Sequence, residues 1–281
     1  MKFLSRAFLI LMILSVGSSC GQNPLKELAS KTDTDAAKYS DILKLLNDQK
    51  FDDVIEYIDE QSSEFQALEQ TIEYKGQAQL GKCGFTFATF IDGMSNSAAT
   101  QFMQKFAFAF QGRTIDPASC FAAQQTFENL SDSATNKNLS LLFVGMAKMG
   151  TYARQSLDTN DDGVVDADAC QAGALSDDNA KQVITGLGLI IMNFAGLLGD
   201  LAGADISQSV NDFKTSCEAE VGAGLCSITD PTDPGLNGAA VTAFRLLLDS
   251  NTFGFGDCDI TEDTPEDGDG LRFCCLNEAT P

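Results

Sequence analysis

From Ala36 onward, apolar residues recur at helical spacing and almost nowhere alternate in twos. A helix buries a stripe that returns every three to four residues, whereas a half-buried strand alternates. The pattern therefore restricts the chain to folds built by packing helices. Tyr39, Ile42, Leu43 and Leu46 begin the series, a polar break covers 47–50, and Phe51, Val54, Ile55 and Ile58 resume it. A helix is expected over 98–111, with Phe102, Phe106, Ala109 and Phe110 on one face. Another runs from Asp116-Pro117, where Pro suits the first turn, to Leu130. A third spans 138–157 with Leu139, Leu142, Phe143, Met146 and Met149. Residues 178–201 form the most apolar helix, and 183–199 carry no charge. That run is short for a membrane span, contains Asn193 and lacks basic flanks, so it reads as a buried central helix. Its Gly186, Gly188, Gly196 and Gly199 lower helix propensity and imply either close helix contact or a cavity. Shorter helices are expected over 210–217 and 238–249. The expected fold class is mainly α, a stack of helical hairpins with disulfide-tied loops in the C-terminal third.

The first residues carry a different signal. Lys2 and Arg6 precede an apolar run from Phe8 to Val16, and the small residues Gly17, Ser18 and Ser19 follow. This is the layout of an export signal, too short for a transmembrane helix, which needs roughly 20 apolar residues. Cys20 comes next, and Val16-Gly17-Ser18-Ser19-Cys20 resembles the lipobox of bacterial lipoproteins, departing from it at Gly17, where an aliphatic residue is usual. The resemblance covers only the first twenty residues and implies removal of 1–19, lipidation of Cys20 and attachment to a membrane. Polar composition makes 20–35 the lipidated Cys and a tether, and the helical pattern makes 36–281 one mainly helical domain, divisible into a repeat-like 36–157 and a disulfide-rich 176–281. Acyl chains contribute about 0.8 kcal/mol per buried CH₂, enough for stable anchoring when several are attached. Gly21 is not the Asp that retains lipoproteins in the inner membrane of enteric bacteria. An outer-membrane address is therefore favoured if the cell has two membranes, with the body periplasmic or surface-facing.

Residues 36–94 resemble degenerate tetratricopeptide repeats. At the family's 34-residue period, Leu46 maps to Leu80, Phe51 to Phe85 and Val54 to Ala88. Gly76 and Ala78 stand where that family packs small residues. One such hairpin cannot bury its apolar face alone and must stack on the next.

Export agrees with cysteine usage. Beyond Cys20 there are eight: Cys83, Cys120, Cys170, Cys217, Cys226, Cys258, Cys274 and Cys275. An even number outside the cytoplasm points to disulfides, for which 105 connectivities exist. Cys83 is expected with Cys120, and Cys258 with one of the adjacent pair Cys274 and Cys275. Beyond residue 19 the chain has 16 Lys and Arg against 40 Asp and Glu, a formal charge near −24. Phosphate backbones need basic partners, so nucleic acid is not an expected partner, whereas cationic ligands and divalent metals are compatible. The sequence has no His, which removes His-based triads and His metal ligands. No constellation marks an enzyme.

One segment carries a specific chemistry. Asp158-Thr159-Asn160-Asp161-Asp162-Gly163-Val164-Val165-Asp166 resembles an EF-hand calcium loop. Calcium takes six to eight hard oxygens. Asp158, Asn160 and Asp162 occupy loop positions 1, 3 and 5, Gly163 the sharp turn, Val164 the carbonyl position and Asp166 the ninth. Position 12 is Ala169 rather than an acid; Asp168, one residue early, is the candidate substitute, with Asp177 and Asp178 as alternatives whose simpler role is beside the Ser176 N-cap. A structural calcium ion is the implied cofactor. The function expected of the whole is a membrane-anchored binding or scaffold module for a protein partner or small ligand; the alternative is an envelope protein with a purely structural role. The first predicts an apolar cavity near 183–199, the second a filled core.

Overall fold

Every regular element among the described residues is helical. A computed structural model describes residues 34–96, 102–132, 136–161, 173–201, 214–219 and 222–248. The chain divides into two units, Met1–Asp48 and Gln49–Pro281. In the first, α1 (Asp35–Asn47) starts at Thr34, whose hydroxyl accepts from the Ala37 N–H at 3.3 Å, and it buries Ile42. Gln49 then adopts a left-handed φ of 56°, the conformation that commonly ends helices. This accounts for the polar break at 47–50.

The second unit comprises α2 (Phe51–Asp59), α3 (Ser63–Gln66), α4 (Glu69–Lys82), α5 (Phe87–Asn96), α6 (Phe102–Phe108), α7 (Pro117–Glu128), α8 (Lys137–Leu157), α9 (Asp177–Leu201), a 3₁₀ turn (Leu225–Ser227) and α10 (Gly238–Leu248). Residues 214–219 are also helical. Packing runs in a chain: α2 against α4, α4 against α7, α7 against α8, and α8 against both α6 and α9. Helix α9 in turn carries the 3₁₀ turn and α10. The central helix is α8, buried from Met149 through Leu157 except at Gln155, whereas α9 leaves Met192 half exposed. Helix α9 is buried from Val183 through Leu189 and packs on α8, the 3₁₀ turn and α10, in keeping with the buried helix expected over 178–201.

Local chemistry sets the boundaries. Pro117 occupies the first turn of α7. Ser176 caps α9 by accepting from the Asn179 N–H at 3.2 Å. Helix α6 ends at Phe108, short of the expected 111, because the chain turns through Gly112, whose φ is 69°. The start of the expected 98–111 helix, at 97–101, lies outside the described residues, as does Asp249.

Small residues bring the helices together. A Cβ on Gly76 would fall 2.5 Å from the Phe127 ring, and one on Gly145 would fall 2.6 Å from the Gly186 carbonyl oxygen. Gly188 faces the Ile228 carbonyl more closely still. Of the two roles open to the α9 glycines, close contact is the one taken at 186 and 188. The space between Ile184, Leu187, Leu225 and Phe244 has no room for a water molecule. In the same core, the rings of Phe85, Phe90, Phe106 and Phe110 pack with contacting centroids 5.2–6.4 Å apart. In the repeat-like segment, α4 starts 34 residues after α1, while α5 starts 36 after α2. Phe85 precedes α5, whereas Phe51 is the first residue of α2.

Disulfides close two loops. Cys83 is bonded to Cys120, the expected partner, with Cα atoms 5.1 Å apart, fastening the end of α4 to α7. Cys217 is bonded to Cys226 across a nine-residue separation in the C-terminal third. Cys20, Cys170, Cys258, Cys274 and Cys275 lie outside the described residues. No described helix is long and apolar enough to cross a membrane.

Candidate functional site

Three places in the second unit carry chemistry. The first is the start of the acidic loop. Asp158 terminates α8 and is buried, with its N–H donating to the Arg154 carbonyl at 3.0 Å. Asn160 is exposed. Asp161 takes a left-handed φ of 62°, which Asp tolerates better than most residues. Its carboxylate accepts from the Gly112 N–H at 3.0 Å and pairs with Arg154 Nη2 at 2.6 Å. Arg154, itself buried, donates through Nη1 to the carbonyls of Phe110 and Arg113, both at 2.7 Å. The loop therefore leaves α8 with its first turn fixed by Asp161, which occupies a position the calcium pattern does not use for ligation. The remaining candidate ligands, Asp162, Val164, Asp166 and Asp168, lie outside the described residues. Among the described residues no group of three potential metal ligands converges.

The second place is an open cleft of about 560 Å³, lined by Lys50, Phe51, Lys82, Thr86, Thr89 and Arg113 among others. It takes in the N-terminus of α2, the C-terminus of α4 and the start of α5. Lys82 is paired with Asp52 at 2.6 Å, which raises its pKa. Arg113 donates to the Thr89 carbonyl, and its Nη1 is buried with no protein partner. Burial holds its pKa below the usual arginine value, against the opposing pull of Asp92. Lys82 and Gly84, on the rim, flank Cys83, so the Cys83–Cys120 bond braces this wall.

The third is a polar network at the centre of the helix stack. Lys148 projects from the middle of α8 and is fully buried. Its Nζ donates to Gln124 Oε1 of α7 at 2.6 Å and to Thr185 Oγ1 of α9 at 2.7 Å, and sits 5.5 Å from the Phe121 ring centre. Gln124 uses its other end on Glu128 Oε1 at 2.7 Å and on the Thr229 carbonyl at 2.9 Å. Burial pushes the Lys148 pKa down to about 7, opposed by the charges of Glu128 and Asp230. Leaving buried polar groups unpaired costs about 1–3 kcal/mol each, and every member here has a partner.

Sequence reasoning passed over Lys148, Gln124, Arg154 and Asp161. One signal was present: Lys148 is the only charge between Lys137 and Arg154 in an otherwise apolar helical stretch. No protein-family model matches the chain, and neither a curated protein nor a solved structure matches it.

Proposed function

We propose that this is an exported protein, anchored in a membrane by lipid on Cys20, that works as a binding or scaffold module for a protein partner or small ligand. A calcium ion at the Asp158 loop would act as a structural cofactor. The observation that carries the binding reading is the open cleft beside the Cys83–Cys120 bond. It is large enough for a small polar molecule, lined by charged and hydroxyl side chains, and walled by elements that a covalent bond holds in place. Pre-formed concave sites with a few fixed polar groups are the usual form of ligand pockets. A strongly acidic chain argues against nucleic acid as partner. Calcium would hold the acidic residues that follow α8, where Arg154 already fixes the first turn.

A ligand-free structural role is the second reading, and one observation favours it: among the described residues, the space between Ile184, Leu187, Leu225 and Phe244, within the stretch where a cargo cavity is expected, is filled.

The test is native mass spectrometry on protein extracted from membranes in mild detergent without chelator. The binding reading expects a retained small molecule or co-purifying protein that is lost with Thr89→Trp, placed to fill the cleft. It also expects acyl mass on Cys20 that is absent in Cys20→Ser, and a calcium adduct that is absent in Asp162→Ala. An acylated protein that carries no partner before or after the cleft substitution would favour the structural reading. Absence of acylation would remove the anchor, and absence of calcium would remove the cofactor.

A further inference from the structure

The Lys148 network contains more than a satisfied buried charge requires. An ammonium ion in a helix stack needs acceptors, and the Thr185 hydroxyl and Gln124 carbonyl supply them. Yet the amide that accepts also has its nitrogen bonded to a carboxylate, Glu128 Oε1, at 2.7 Å. An amine nitrogen, a carboxamide carbon and a carboxylate at the prospective leaving group thus stand side by side. Lys148 is 0% exposed and Gln124 2%, so bulk water has no access to compete.

We propose that Lys148 and Gln124 join in an intramolecular amide bond, with Glu128 as the proton carrier. The Lys148 Nζ lone pair adds to Gln124 Cδ. Glu128 takes the proton that Nζ loses and delivers it to Nε2. The Cδ–Nε2 bond breaks, ammonia leaves, and the side chains remain linked as Cδ(=O)–Nζ. No oxidant or other co-reactant is consumed. Holding the two groups in contact replaces a bimolecular encounter with an intramolecular one, for which effective molarities of roughly 10⁵–10⁸ M are known in well-oriented cases. Burial favours the neutral amine that the step requires, bringing the Lys148 pKa to about 7 against the charges of Glu128 on α7 and Asp230 in the loop after the 3₁₀ turn. On α9 the contacting group is the uncharged Thr185. The product would tie α7 to α8, as Cys83–Cys120 ties α4 to α7.

Peptide mass mapping of the whole folded protein, reduced and alkylated before trypsin, decides the matter. An amide-bonded Lys148 is not cleaved, so peptides 114–137 and 138–154 should appear as one species, lighter than their sum by one ammonia, with fragments that place the link at Gln124 and Lys148. Linear peptides cut after Lys148 would overturn the proposal. Glu128 is exposed, so Glu128→Gln should keep the native circular dichroism and lose the link; a link that forms as fast in this variant would remove Glu128 from the mechanism.

Discussion

Replacing Gly188 with Ala should destabilise the protein, although the same change in an open helix would stabilise it. In an unhindered helix interior Ala is favoured over Gly by about 1 kcal/mol. At Gly188 the new methyl would meet the Ile228 backbone, 2.7 Å from its carbonyl carbon and closer still to the oxygen. Ile228 cannot withdraw freely. It follows the 3₁₀ turn that Cys226 holds through its bond to Cys217, and its neighbour Thr229 accepts from Gln124. Extra atoms in a packed contact cost roughly 1–3 kcal/mol, occasionally more, and a clash with constrained backbone belongs at the upper end. After the propensity gain, the net loss should be about 1–2 kcal/mol. Gly238 is the control: a Cβ there meets nothing within 4 Å, so Gly238→Ala should be neutral or stabilising by a few tenths of a kcal/mol, up to about 1. Urea unfolding followed by far-UV circular dichroism, with disulfides intact, measures both. A Gly188→Ala protein as stable as wild type would refute the claim that α9 and the 228 backbone are in fixed contact.

Three further outcomes are expected. Arg154→Met should cost about 2–3 kcal/mol, because it strips the buried Phe110 carbonyl and the part-buried Arg113 carbonyl of their donor and removes the ion pair to Asp161; the same unfolding assay reads it. Cys120→Ser should cost roughly 3–4 kcal/mol, the chain-entropy value for a 37-residue separation, and reductant, which also opens Cys217–Cys226, should destabilise the wild type by at least as much. The Lys148–Gln124 bond should form faster as pH rises towards the Lys148 pKa of about 7 and level off above it, since only the neutral amine reacts. This is checked by quenching a refolding reaction at intervals and counting linked peptide, and a pH-independent rate would contradict it.

The helices were legible because their causes are local. Periodic Phe and Leu positions, Pro117 at the start of α7 and Ser176 at the cap of α9 all act within a few residues. The ends that differed, as at Phe108, depend on Gly112 being held by Asp161, 49 residues away. The same distance in sequence hid the polar centre. Lys148 was visible as a charge in an apolar run, but Gln124 and Thr185 reach it from two other helices, 24 and 37 residues away. Asp161 falls between the positions of the calcium pattern, and nothing local says that Arg154 claims it. The choice between contact and cavity at Gly186 was likewise settled by a neighbour, Gly145, in another helix.

The centrality of α8 has a genetic corollary. This one helix presents Gly145 to α9, Lys148 to α7 and α9, Gly150 to Phe110, and Arg154 to the turn before α7. Each successive residue advances the helix by about 100° and 1.5 Å. One codon inserted between Gly145 and Lys148 would therefore swing everything beyond it out of phase at once, putting a side chain where a glycine passes and a charge where a ring packs. Gene variants that change length should thus be tolerated around the exposed 131–132 stretch and purged within α8, while single substitutions on its few half-exposed positions persist.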